Sequence, residues 1–369
     1  MSPFVVKFIG LLTTILLLLQ SVFIFPSPNK EKTDFEQCKN VIFMIGDGMG
    51  FNSIEKTKAE TGASLVMDTF EIRGESRTAS ANSVITDSAA GGTALATGFR
   101  TFNGAIGVFM GDKNHLVSHP MNLTELAISQ GKPAGVITTD STAGATPGSF
   151  SAHTSDRDNE SDITAQQLAG DLTLCWGTTA GSFTSEAAEE YGWTHIYNKE
   201  TMDALTEGSR SFGQFTSSLW HVDNGSNMPT LAEMTEKAID LLDDDEDGFF
   251  LMVEGAHIDK NSHDKNGEGM KDALLSFDAA VATALEYAKA DGETLVVITA
   301  DHETGGIILV NGEYKYTSGG HTGTNVPLLV YGCENFLEGE ISIPNIEVAR
   351  RVACVMGEEN FPIRVDVIS

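Results

Sequence analysis

Short, continuous apolar runs separated by longer amphipathic stretches dominate the pattern of this chain. Val41 to Ile45, Gly135 to Thr138, Phe249 to Val253, Leu295 to Thr299 and Pro327 to Tyr331 are apolar enough to be strands covered on both faces. Between such runs, Leu231 to Leu242 and Lys271 to Ala290 carry apolar residues at helical spacing. In the second, Leu274, Leu275, Phe277, Ala280, Val281 and Leu285 form one stripe, and Gly292 supplies a stop. Strands alternating with helices predict an α/β fold, a mostly parallel central sheet with helices on both faces.

The residues that follow the strands carry the chemistry. Val41 to Ile45 runs into Gly46-Asp47-Gly48, and Gly135 to Thr138 leads to Ala145-Thr146-Pro147. Phe249 to Val253 ends at Glu254, and Leu295 to Thr299 ends at Asp301-His302. In open α/β sheets ligands bind beyond the carboxyl ends of the strands, so these polar groups are expected to share one rim.

The first segment of the chain has a different character. Met1 to Pro28 holds Lys7, an apolar run from Phe8 to Leu19 and a second apolar patch from Val22 to Phe25, which reads as an export signal. Two forms remain open: a cleaved signal peptide, or an uncleaved N-terminal membrane anchor, since the apolar length approaches that of a span. The lack of a Cys after the run argues against a lipoprotein anchor. The expected organisation is an export segment over 1–28, a linker over 29–39 and a single catalytic domain over 40–369, outside the cytoplasm in a periplasmic or extracellular setting.

Charge narrows the function. With 23 Lys plus Arg against 52 Asp plus Glu, the net charge of −29 excludes general attraction to a nucleic acid backbone. The same charge repels any anionic substrate unless positive charge is concentrated locally, which directs attention to metal ions and a well-placed Arg. The four cysteines, Cys38, Cys175, Cys333 and Cys354, lack metal-site spacing and allow three pairings. Cys333 with Cys354 is the favoured disulfide, and buried free thiols are the alternative.

Three segments offer catalytic chemistry. In Thr86-Asp87-Ser88-Ala89-Ala90-Gly91-Gly92, a Ser ahead of small residues suits a helix N-terminus, where free N–H groups accept a phosphate; the competing reading is a helix-capping Ser. Asp259 and His263 are four apart, on one helix face, and suit two ligands of one zinc; His321, among glycines, is the natural third. Asp301 and His302 with Asp47 make a second set, beside which Ser88 could be activated by coordination. His257 reads as structural. A calcium-loop pattern from Asp243 to Glu254 is set aside, because Phe249 to Val253 reads as a strand that carries Glu254 roughly 20 Å from the acidic turn.

From Asn40 to about Gly332 the chain resembles alkaline phosphatases. The resemblance rests on Gly46-Asp47-Gly48-Met49-Gly50, Thr86-Asp87-Ser88-Ala89-Ala90, Ala145-Thr146-Pro147, Ala152-His153-Thr154-Ser155-Asp156-Arg157, Val253-Glu254-Gly255 through His263, Thr299-Ala300-Asp301-His302-Glu303 and Gly320-His321-Thr322. It implies two Zn2+ and one Mg2+. Asp259, His263 and His321 would hold one zinc and Asp47, Asp301 and His302 the other, while Asp47, Thr146 and Glu254 would carry the third ion. It also implies that Ser88 is the nucleophile, that Arg157 clamps the phosphate and that Asp87 orients Arg157. The implied substrates are small phosphate monoesters, hydrolysed through a phosphoserine.

Two points depart from the family pattern. Gly144 stands where better known relatives have an Asp or His supporting the third ion, which puts that ion in question. Lys260 is then expected to lack an anionic partner and either to reach toward bound phosphate or to be solvated. Eighteen residues separate His302 from His321, where larger relatives insert an interface domain, so a homodimer is left open. The competing functions are a sulfatase, a phosphodiesterase and an inactive surface protein that binds metal or phosphate. The nucleophile segment lacks the C/S-x-P-x-R pattern of sulfatases, and Arg157 suits a terminal phosphate better than a diester.

Overall fold

The computed structural model describes residues 35–367 apart from 110–117, 181–182, 217–218, 222–226 and 244–245. The expected export segment over 1–28 and part of the expected linker lie outside the described residues.

A ten-stranded sheet forms the centre. In chain order its strands are β1 (Asn40–Gly46), β2 (Ile72–Arg77), β3 (Ala134–Ser141), β4 (Leu174–Thr178), β5 (Thr194–Ile196), β6 (Ser211–Phe215), β7 (Phe250–Gly255), β8 (Thr294–Thr299), β9 (Val326–Tyr331) and β10 (Ser342–Pro344). Across the sheet they run β10-β2-β9-β8-β1-β7-β3-β4-β6-β5. β9 is antiparallel to both of its neighbours, β8 and β2. The other neighbouring strands pair in parallel.

Alternation along β1 divides the core in two. Ile42 and Met44 point to one face, with α6 (Leu231–Leu242) and α8 (Gly267–Asp291). Val41, Phe43 and Ile45 point to the other, with α2 (Ser88–Thr97), α3 (Leu123–Ser129) and α9 (Asn345–Val355). Successive strand side chains point to opposite faces, so an unbroken apolar run is what a twice-covered strand requires.

α6 occupies the range its apolar period predicts, with Thr230 and Glu233 forming a reciprocal cap at its start. α8 begins earlier than expected, at Gly267, because the Asn266 side chain accepts from Gly269 N. The two glycines of its first turn hide that start from propensity. Gly292 ends α8 at φ 79°, as a left-handed cap bonded to Ala288 O.

The strands that the apolar pattern misses are β2, β4, β5, β6 and β10. β2 is Ile-Arg-Gly-Glu-Ser-Arg and only partly buried; its place is set by ladders with β9 and β10, not by its own residues. The expected Cys333–Cys354 disulfide is not formed. Cys333 is a buried thiol donating to Asn335 Oδ1 at 3.2 Å, and burial pushes it up to about 11, which keeps it protonated.

Phe277 of α8 is fully buried, and a methyl group added to Gly255 at the end of β7 would lie 2.8 Å from its ring. Phe277→Ala should therefore lower the free energy of unfolding by about 3–5 kcal/mol, read from the urea midpoint at unchanged slope. A loss below ~1 kcal/mol would contradict this packing.

Candidate active site

Because β1, β3, β7 and β8 are parallel, their carboxyl ends share one edge. The register places Ile45 beside both Glu254 and Thr299, and Thr138 beside Glu254. Asp47, Glu254, Asp301 and His302 therefore meet on that edge, all of them buried. Gly48 makes the turn after β1 at φ 72°, where a Cβ would fall 2.8 Å from Asp259 Cα. Its N–H donates to Asp301 Oδ1 at 3.2 Å.

Two donor clusters result. Asp47, Asp301 and His302 bring ligand atoms within 4.8 Å of one another, and so do Asp259, His263 and His321. In the second cluster Asp259 and His263 project from one face of the short helix α7 (His257–His263). His321 comes from a two-residue strand that pairs with Glu303–Thr304. The His263 and His321 Nε2 atoms stand 3.1 Å apart. Each ring's Nδ1 faces a backbone carbonyl, Gly319 O at 2.7 Å and Thr86 O at 2.9 Å. That bond fixes Nδ1 as the protonated nitrogen and turns the two Nε2 lone pairs toward each other.

Ser88 opens α2, and its Oγ lies 3.2 Å from His302 Nε2. The helix cap is Asp87, not Ser88: Asp87 Oδ1 accepts from Ala90 N at 3.0 Å. The seryl oxygen is thereby left available at the first turn. α2 is built from small residues because it packs closely against the rim; a Cβ on Gly91 would fall 2.9 Å from Asp301 O. Asp87 Oδ2 takes Gly104 N at 2.8 Å and lies 3.4 Å from Arg157 Nη1. Arg157 N in turn donates to Gly104 O at 2.8 Å, so one carboxylate fixes both the helix start and the guanidinium.

Charge at the rim is unbalanced within the protein itself. Burial first, then Asp301, Asp259 and Glu254, push Asp47 well above the usual carboxylate range. Burial, with help from Asp140, pushes Glu254 up to about 8 despite a hydrogen bond from Thr138. Burial alone would raise Asp259, but its bond with His263 and the nearby His302 bring it down to about 2. The bond to Asp259 raises His263 to about 9. His302 is pushed below its ordinary value by burial. The buried Asp47 Oδ1 and Asp301 Oδ2 have no hydrogen-bond partner among the described residues. Orphaned buried oxygens, opposed imidazole lone pairs and crowded carboxylates are what a set of cation ligands looks like.

Known proteins resemble this chain in sequence and fold. The alkaline phosphatase family profile matches residues 38–176 and 176–322. Alkaline phosphatase 4 of Bacillus subtilis is 35% identical over 313 residues, 78% of this chain, and the match spans 66% of that relative's length. Alkaline phosphatase of Escherichia coli is 31% identical over 72% of this chain and 70% of its own. The solved alkaline phosphatase of the Antarctic bacterium TAB5 superposes with a TM-score of 0.76 at 31% identity, over 88% of this chain and 99% of that one.

This chain belongs to the alkaline phosphatase family.

One expectation about the rim is not met. Lys260 does not lack an anionic partner: its Nζ lies 2.5 Å from Asp140 Oδ1. The expectation fails because Gly144, the cap of α4 (Ala145–Ser149), is not the only position from which a carboxylate can reach Lys260. The end of β3 supplies one four residues earlier. Asp140 carried a weak sequence signal, a lone acid at the end of a strand.

Thr304 was also missed. Its Oγ1 lies 2.5 Å from Asp259 Oδ1 and 3.2 Å from His302 Nδ1, linking the two clusters. The carbonyls of Thr86 and Gly319 leave no side-chain signal to find. His257 stands outside both clusters, against Thr139 Oγ1 at 3.2 Å and the Trp220 ring. The residues between His302 and His321 form two small antiparallel ladders, Glu303–Thr304 with His321–Thr322 and Ile307–Val310 with Glu313–Tyr316.

The raised groups fix the pH response. Glu254, moved from 4.5 to about 8, and His263, moved from 6.5 to about 9, bind more protons folded than unfolded. Their contribution is full below the unfolded values and is lost as pH rises through the folded ones. Above the ordinary histidine value, where the lowered His302 and His257 are neutral in both states, the thermal midpoint of chelator-stripped protein should fall between about pH 7 and about pH 9. Added divalent cation should restore it most at the alkaline end. A midpoint rising with pH in the stripped protein would contradict the charge crowding described above.

Proposed function

We propose that this chain hydrolyses phosphate monoesters by passing the phosphoryl group first to Ser88 Oγ and then to water. The observation that carries the proposal is the position of Ser88: its Oγ is 3.2 Å from His302 Nε2, beside the donor clusters and in the first turn of a helix. The backbone N–H groups of such a turn favour the negative charge of a phosphate.

His302 supports this role through its tautomer. With Nδ1 facing Thr304 Oγ1, whose hydroxyl is 2.5 Å from Asp259 Oδ1, the ring turns its one lone pair, on Nε2, toward the space between Ser88, Asp47 and Asp301 that a cation would share with the serine oxygen. Arg157, steadied by Asp87, offers a planar fork to two oxygens of the terminal phosphate. The Oγ–P bond forms as the ester P–O bond breaks, and the proton lost by Ser88 is made up on the departing alcohol. Water then attacks the phosphoserine, returns a proton to Oγ and releases inorganic phosphate.

The side chains also fit resident cations. Asp259, His263 and His321 would hold one Zn2+, and Asp47, Asp301 and His302 a second, because imidazole with carboxylate suits that ion. Asp47, Thr146 and Glu254 offer only oxygen and would hold Mg2+; a variant of the TAB5 enzyme has been solved with Mg bound. Such ions supply Lewis-acid charge and lower the pKa of bound water.

The apolar run before residue 28 supports export of the catalytic domain. Among the described residues, no helix is long and apolar enough to cross a membrane. Small phosphomonoesters are the proposed substrates.

Turnover of p-nitrophenyl phosphate tests the scheme. Ser88→Ala, or removal of metal by chelation, should lower kcat on the order of 10³-fold or more. Arg157→Lys should lower kcat/KM by roughly 10- to 100-fold through loss of the fork. Parental turnover in Ser88→Ala would defeat the proposal, as would a bis-ester or sulfate ester cleaved as fast as the monoester.

A further inference from the structure

Besides the two rim clusters, one more set of described side chains brings three donors within 4.8 Å: His119, Glu125 and His153. Glu125 lies in the first turn of α3, His119 on the short strand Ser118–Pro120, and His153 after α4. Both histidines are buried. We propose that these three residues form a separate binding site for one divalent cation of the zinc class, outside the catalytic rim.

The argument starts from His153. Its Nδ1 lies 2.6 Å from Gly107 O, so Nδ1 carries the proton and Nε2 faces Glu125 Oε1 at 2.9 Å. This is the device seen at His263 and His321: a backbone carbonyl holds one nitrogen and aims the other. A lone pair and a carboxylate oxygen repel at that distance unless a positive charge sits between them. A proton is one solution. A divalent cation is the other, and the second imidazole favours it. The His119 ring stacks on His153 with centroids 3.6 Å apart and 27° between planes; its Nδ1 is 3.3 Å from Pro120 O and 4.0 Å from Glu125 Oε2, which leaves Nε2 as its ligand atom. Two imidazolium ions at that separation oppose each other, whereas two neutral imidazoles and one carboxylate satisfy a single zinc-class ion once the His119 ring turns out of the stack, since an imidazole binds a metal in its own plane.

The ligand set is also held in place beforehand. Gln166 clamps the His153 backbone from both sides, accepting from its N at 2.8 Å and donating to its O at 2.9 Å. Glu125 Oε2 accepts from Asn122 N at 2.8 Å, which orients the carboxylate. An adjoining cavity of about 440 Å³, lined by Glu125, His153, Gln166 and Asp171 among others, gives water access to the remaining coordination positions. Thr154, next to His153, pairs with Ile106, and Arg157 N binds Gly104 O. A filled site would therefore brace the segment that carries Arg157 and the one that pairs with it.

The test uses the whole protein equilibrated with zinc and freed of unbound ion. Metal is counted by mass spectrometry in the parent, Glu125→Gln and His119→Gln. Glu125→Gln keeps an oxygen for the Asn122 amide, and circular dichroism checks that both variants fold. The expected result is one zinc equivalent fewer in each variant. In crystals of the parent, a zinc-edge anomalous peak is expected among His119, Glu125 and His153. Equal zinc counts in parent and folded variants would overturn the site. So would the absence of that peak at saturating zinc, a readout that stands even if both variants misfold.

Discussion

Four carboxylates, Asp47, Glu254, Asp259 and Asp301, are buried at one edge of the sheet, and the protein supplies little positive charge to balance them. Burying charge without a partner is among the most unfavourable things a fold can do. Here the imbalance appears directly, as Asp47 held well above its ordinary range and Glu254 pushed up to about 8. Arg157 works the other way on Asp47 but is outweighed. The rim is thus organised around positive charge brought from outside, whether as a cation or as protons. That same charge makes an enzyme of net charge −29 compatible with an anionic substrate.

The rest of the architecture can be understood as support for that edge. Parallel pairing aligns the ends of β1, β3, β7 and β8, so carboxylates far apart in the chain arrive at one level. Covering helices on both faces make the strands rigid enough to hold the like charges together. Small residues let α2 approach until a Cβ on Gly91 would collide with Asp301 O. Asp87 then ties the start of that helix to the segment bearing Arg157. Each contact constrains a group of the proposed mechanism through a side chain that the mechanism does not itself use.

The Asp140–Lys260 pair shows that a carboxylate can reach Lys260 from a position other than 144. Gly144 carries no carboxylate, yet the end of β3 presents one close enough to engage Lys260 at 2.5 Å and to act on Glu254. Electrostatics depends on where a charge ends up in space, and a strand end four residues away occupies much the same neighbourhood. For that reason, a substitution judged by sequence position alone overstates what has been lost.

Apolar periodicity alone determined the buried central strands, the helices α6 and α8 and the α/β class, because each is dictated by which faces must leave water. Asp259 with His263, and Asp301 with His302, were legible as pairs, since helical spacing and adjacency are local properties. β2 and the outer strands were not, for their residues are mixed in polarity and their places come from ladders with distant partners. Nor were the antiparallel direction of β9, the thiol state of Cys333 or the Asp140–Lys260 contact. Neither the Thr304 bridge nor the carbonyls aiming His263, His321 and His153 could be read either. These rest on distances of a few ångströms between residues dozens to hundreds of positions apart, which only the folded chain brings within reach.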